Sequence, residues 1–257
     1  MTITQLITIF ALLGPAAIDH ASVIENSTPE WAQKEFQIQA LDLPTDRYCG
    51  GHYLITALLK SGFPVNSERH PIVKGKDIVL GINSAFSDTE KVWIDVPRKT
   101  PWQKLESDNG KAKAADIIRH YAEQAGEYRV TYVGSLVVLL PKDTAALCES
   151  INLPPLDKSQ CTLFDLRNTY WKDLEPYHVG FHFAMPGSAD YGKNISFDMS
   201  FAGGSLKQLL CQAVLGLDSA DPLYYHFWTI GGLEGQMGIR FGRVSRKTLE
   251  MIMVEEE

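Results

Sequence analysis

The sequence has no pair of cysteines at zinc-ligand spacing, no excess of basic residues and no long apolar run beyond its N-terminus. Each absence excludes something. The four cysteines, Cys49, Cys148, Cys161 and Cys211, form no CxxC and no Cys/His cluster, so no structural metal is expected. A net charge of −7 offers no basic field to displace counterions from phosphates, which argues against a nucleic-acid partner. No later segment reaches bilayer-spanning length, so no stable transmembrane span is expected. A phosphate cradle needs a helix start directly after its glycines. Gly231, Gly232, Gly235 and Gly238 lead instead into the strand-like MGIRFGRV, so a hairpin turn is expected there, and no cofactor.

What is present is ordinary for a globular chain. Of 257 residues, 45% are apolar and 21% charged, enough for one large domain or two small ones. The acidic end Glu255-Glu256-Glu257 reads as a solvated tail. Residues 3–17, ITQLITIFALLGPAA, carry no charge and resemble the h-region of a signal peptide. The competing reading is a buried N-terminal helix or strand. Export to the periplasm or cell surface is the favoured expectation. Export permits disulfides, and Cys148 and Cys161 bracket a short loop with Pro154-Pro155 that a bridge can close. Cys211 falls inside an amphipathic helix and is expected to pack as a small apolar side chain.

A unit of strand, helix and strand hairpin recurs along the chain. In the middle, VWIDV (92–96) alternates like a half-buried strand. A helix follows with Ala114, Ile117, Ile118, Tyr121, Ala122 and Ala125 on one face, capped by Asp108 or Asn109 and ended by Gly126. YRVTYV and LVVLLP then flank Gly134-Ser135 as a tight hairpin. Near the C-terminus, ISFDMSFA (195–202) is the strand. Ser205 caps a helix with Leu206, Leu209, Leu210, Ala213 and Val214 on one face, which Gly216 is expected to end. YYHFWTI and MGIRFGRV form the hairpin. A weaker N-terminal copy uses FQIQALDL (36–43), a helix bearing Leu54, Ile55, Leu58 and Leu59, and IVLGI (78–82). The expected organisation is a signal-like segment 1–22, a diverged first unit 23–90, a second unit 91–143, a connector 144–192 and a third unit 193–257. Units that each bury one helix face against strands predict an α+β fold of two or three small β-α-β-β units, each a small sheet covered by one helix.

ADIIRHYAEQAGEYRVTYVGSLVVLLPKD (115–143) and ISFDMSFAGGSLKQLLCQAVLG (195–216) resemble the short N-terminal domain of secretins and TonB-dependent receptors. That family shows an opening strand, a helix of the kind xxLxxLLxxxG and a strand hairpin. The resemblance implies a non-catalytic periplasmic or cell-surface module that docks another protein, of the cell envelope among others. It carries no catalytic residues over.

A second function class competes. In YCGGHYLITALLKSG, Cys49 precedes a helix start, where the helix field lowers a thiol pKa as in papain-like cysteine hydrolases. His178 or His182 would complete the pair, with Asp190 or Asn194 orienting the imidazole. The bland alternative is that Gly50-Gly51 make a tight turn while Cys49 packs or pairs. His178 and His182, four apart on a strand, share a face, but no carboxylate or thiol completes a metal set. Tyr224, Tyr225, Phe227 and Trp228 offer an aromatic strand for a peptide or glycan, and the sheet edge there can accept a partner strand.

Overall fold

The computed structural model describes residues 28–38, 51–69, 79–82, 91–94, 102–142, 145–182, 192–233 and 235–252. The N-terminal signal-like segment, most of FQIQALDL, Cys49 and Asp190 lie outside these residues.

The chain is α+β, built from small strand–helix–strand units. It begins with α1 (Glu30–Gln33), β1 (Glu35–Gln37), α2 (Gly51–Lys60) and β2 (Val65–Glu68). A short hairpin of β3 (Val79–Ile82) and β4 (Lys91–Ile94) comes next. Then follow β5 (Lys111–Lys113), α3 (Ala114–Ala125), β6 (Tyr128–Val133) and β7 (Leu136–Pro141). Residues 144–192, read as a connector, hold α4 (Leu147–Ser150), β8 (Asn152–Leu153), β9 (Leu156–Cys161), α5 (Leu163–Leu174) and β10 (Val179–Phe181). The rest is β11 (Phe197–Phe201), β12 (Gly204–Ser205), α6 (Leu206–Ala220), β13 (Tyr224–Leu233), β14 (Gln236–Ser245) and α7 (Arg246–Ile252).

The two strong helices form where their apolar periodicity puts them. α3 buries Ile117, Ile118, Tyr121 and Ala122 and ends at Gly126, whose φ of 71° is left-handed backbone. Its start differs from expectation. Lys113 holds the cap position without a side-chain bond, because Asn109 folds a turn instead, its Oδ1 accepting from Ser107 Oγ and Lys111 N–H. Ser205 does cap α6, in a reciprocal box with Gln208. Gly216 does not end α6; the helix continues to Ala220. A Cβ at Gly216 would stand 2.6 Å from the Phe197 ring, so this glycine lets α6 approach β11 closely.

The hairpins of the second and third units join through β2 into one six-stranded sheet, in the order β10-β14-β13-β2-β7-β6. β2 is wholly buried although its sequence is Val-Asn-Ser-Glu. Asn66 is held at 0% exposure because its Nδ2 donates to Val137 O of β7 at 3.2 Å while its Oδ1 accepts from Trp228 N–H of β13 at 3.0 Å. A buried amide that bonds backbone on both sides avoids the cost of desolvated orphans.

Residues 29–142 and 146–245 share one layout. Each begins with a short helix and strand, α1-β1 or α4-β8. Each later returns a strand, β5 or β12, that pairs antiparallel with that opening strand and runs straight into a helix, α3 or α6. The junction bonds correspond: Ala114 N–H donates to Lys34 O, and Leu206 N–H donates to Ile151 O. The hairpins share register, Tyr132 facing Val137 and Val133 facing Leu136 in one, Gly232 facing Met237 and Leu233 facing Gln236 in the other. The strand after the first long helix pairs parallel with the outgoing hairpin strand in both, β2 on β7 from Val65 opposite Val137 and β10 on β14 from Val179 opposite Met237. The halves meet where β13 runs parallel to β2. A half-turn about an axis across the strands, with a three-strand shift along that axis, reverses strand direction and helix face while keeping strand order, and maps one half onto the other.

Each face therefore has its own core. α2 and α3 cover Val65, Val137 and Leu139 on one side. α5 and α6 cover Trp228, Ile230, Met237 and Ile239 on the other. Each fully buried Leu or Val contributes about 1.5–3 kcal/mol relative to exposure.

Candidate partner-docking edge

The sheet ends at β10, the strand the sequence places in HVGFHFAM. β10 has one strand neighbour among the described residues, β14. His178 O accepts from Met237 N–H at 2.9 Å and His182 N–H donates to Ile239 O at 2.8 Å. Backbone groups of a strand alternate sides, so the N–H and C=O of Val179 and Phe181 point away from β14. Their side chains are buried, at 5% and 9% exposure, and Phe181 stacks on Phe241. Trp171, in α5, and Tyr177, in the turn that leads into β10, are the most exposed described rings at 51% and 45%.

Charge gathers here. His182 lies flat on the backbone of Gly238, where a Cβ would come within 2.8 Å of its ring. Burial, then the nearby Arg240 and Arg167, hold its imidazole below the ordinary 6.5, so it is neutral at pH 7. Arg167 and Lys193 both stand over the Phe164 ring, at 5.9 and 5.1 Å.

The remaining sequence candidates fall elsewhere. Cys49 and Asp190 lie outside the described residues. His178 takes left-handed backbone (φ 53°) and is exposed. Asn194 is exposed. Of the two histidines of the hydrolase pattern, His182 has Arg240 and Arg167 as charged neighbours among the described residues. Among the described residues no group of three His, Cys, Asp or Glu side chains converges as metal ligands do.

Cys148 and Cys161 are free, buried thiols, not the expected bridge. Packing explains this. Cys148 sits on α4 with Glu68 and Cys211 as neighbours, whereas Cys161 Sγ turns to Thr162 O at 3.5 Å. Burial pushes both thiols up, Cys161 to about 11. Cys211 packs as an apolar side chain at 1% exposure.

The aromatic strand is occupied rather than open. Trp228 is fully buried, Arg243 covers Tyr224 at 4.0 Å, Arg246 covers Tyr225 at 3.8 Å, and Phe227 fills the space over Gly242. The glycine-rich stretch is the β13–β14 hairpin.

Two polar groupings escaped the sequence reading. His226, 1% exposed, places both its Nδ1 and its backbone N–H on Asp218 Oδ1, at 2.9 and 2.7 Å. It borders a cleft of about 490 Å³ between the halves, lined by Trp31, Lys34, Ser135, Asp218, Tyr225 and Arg246 among others. Glu68, 3% exposed, accepts from the N–H groups of Leu147 and Cys148. Burial raises its carboxyl above the ordinary 4.5. No local signal marks either grouping, since each is assembled across the fold.

The fold defines a class, a two-half mixed α+β module whose central sheet ends at β10 and at β6 among the described residues. No family model, no curated protein and no solved structure matches the chain. No helix among the described residues is long and apolar enough to cross a membrane.

Proposed function

We propose that this chain is a non-catalytic, exported interaction module that docks another protein. The observation that carries the reading is the pair of exposed rings, Trp171 in α5 and Tyr177 in the turn that follows it. Exposed aromatic side chains are enriched where proteins meet, because they bury large area at little entropic cost. The resemblance of 115–143 and 195–216 to the secretin and TonB-receptor N-terminal domain supports a docking role in the cell envelope. The flanking of His182 by Arg240 and Arg167 disfavours the imidazolium that a Cys49 hydrolase would need.

The test is site-directed photo-crosslinking in the intact source cell. A crosslinker at Tyr177 or Trp171 is expected to trap one and the same protein. A crosslinker at Glu123, exposed on the far helix layer, is expected to trap none of it. The trapped protein should then bind the purified chain. Equal trapping from all three positions, or loss of rebinding, contradicts the reading.

A further inference from the structure

We propose that the cleft between the two halves binds a small monocarboxylate with an apolar body, its carboxylate held by Arg246 and Lys34. None of the lining residues belongs to α5 or β10, so the site is separate from the docking surface and is judged without it.

Each half contributes one cation. Lys34 closes α1, where its N–H donates to Trp31 O at 3.3 Å and its O accepts from Ala114 N–H at 3.1 Å. Its side chain is exposed and lines the cleft. Arg246 opens α7, where its N–H donates to Leu223 O at 3.1 Å. Its guanidinium lies over the Tyr225 ring at 3.8 Å, which restricts how the planar fork can turn.

Neither cation is answered within the described fold. Among the described residues no carboxylate stands within ion-pair distance of Lys34 or Arg246. The Nε of Arg246 is buried and has no hydrogen-bond partner. Buried polar groups of native folds are nearly always met, so a half-shielded guanidinium without an acceptor marks the place of a bound one.

The fold itself does not ask for a cation at position 34. Ala114 N–H donates to Lys34 O as Leu206 N–H donates to Ile151 O, so Ile151 is the counterpart of Lys34 in the other half. Ile151 is fully buried. An apolar residue serves the same junction there, which leaves the charge of Lys34 without a structural task.

The other lining groups say which acceptor fits. Asp218 Oδ1 is engaged by the backbone N–H and Nδ1 of His226, at 2.7 and 2.9 Å. This carboxylate is partly met while both cations are not, which sets the sign of the ligand. Asp218 and exposed Glu30 still bring two negative charges to the lining. Beside them a ligand with one negative charge is favoured over a dianionic phosphate. The two oxygens of a carboxylate match the guanidinium fork. Trp31, Leu136 and Leu215 give the rest of the molecule an apolar wall, and about 490 Å³ is the size of a small-molecule site.

The experiment titrates the full purified, isotope-labelled chain with four probes that share an aromatic body: phenylacetate, phenylacetamide, phenethylamine and phenyl phosphate. Backbone amide shifts give both affinity and place. Phenylacetate is expected to bind and to shift the amides of Lys34, Ser135 and Arg246. The other three are expected to bind about tenfold more weakly or not at all. Lys34→Gln and Arg246→Gln are each expected to weaken phenylacetate about tenfold, with unchanged circular dichroism. Arg119→Gln, outside the cleft and paired with Asp116, is expected to leave binding unchanged. Should Arg246→Gln lose its fold, Lys34→Gln carries the test, because an exposed lysine can be replaced without loss of packing. Equal binding of the acid and its amide overturns the role of the two cations. Equal or tighter binding of phenyl phosphate or phenethylamine overturns the monocarboxylate class. Shifts confined to other amides overturn the location. No shift with phenylacetate at millimolar concentration overturns the inference, while the crosslinking result judges the docking reading separately.

Discussion

Glu68 and Cys148 tie the two halves together. The Glu68 carboxylate, at the end of β2, accepts the Cys148 N–H at 2.7 Å and the Leu147 N–H at 2.6 Å, in the short helix that opens the second half. Glu149, next in that helix, takes Arg129 from β6 and Lys207 from α6 at 2.9 Å. The second strand of one half thus caps the first helix of the other. Replacing Glu68 with Ala leaves two buried donors unpaired and is expected to cost about 2–4 kcal/mol in urea unfolding. A variant that unfolds at the wild-type midpoint contradicts this role.

Gly216 sets two effects against each other. Ala in a helix interior gains about 1 kcal/mol over Gly. A Cβ 2.6 Å from the Phe197 ring overpacks a tight contact, at about 1–3 kcal/mol. Overpacking wins, so Gly216→Ala lowers the melting temperature. Adding Phe197→Leu is expected to restore it. A single variant more stable than wild type would show that α6 can shift away from β11 freely.

Asp165 closes the capping box of α5 with Thr162 and pairs with Lys158 at 2.6 Å. The Lys158 ammonium, then the Thr162 bonds, draw its carboxyl from an ordinary 3.8 down to about 2. A folded value below the unfolded one means stability that is present above pH 3.8 and lost as pH falls through about 2. Asp165→Asn is expected to lose about 1 kcal/mol at neutral pH. The gap to wild type closes over that acid window, and a gap independent of pH contradicts the pairing.

The thiols of Cys148, Cys161 and Cys211 are buried and, for the first two, held protonated. Iodoacetamide at neutral pH is expected to spare all three in the folded chain. In denaturant without reductant each takes one label by mass spectrometry. Recovery of Cys148 and Cys161 as a linked peptide would restore the bridge that their spacing suggested.

Much of the fold is legible in the sequence because its signals are local. The apolar face of α3, the Ser205 cap and both hairpins follow from period, cap and turn residues within a few positions. What escapes is decided at a distance. β2 reads as a polar loop because Asn66 and Glu68 are paid for by bonds to β7, β13 and α4, far along the chain. Gly216 reads as a helix end until Phe197 is placed against it. HVGFHFAM reads correctly as a strand, but its place at the sheet's end depends on pairing with β14, which no local pattern encodes.

The central claim is that the chain docks another protein through the surface that carries Trp171 and Tyr177. Crosslinking in the intact source cell from Trp171, Tyr177 and Glu123 tests it most directly. The account predicts that Trp171 and Tyr177 trap one and the same protein, which Glu123 does not trap. Equal trapping from all three positions would contradict it.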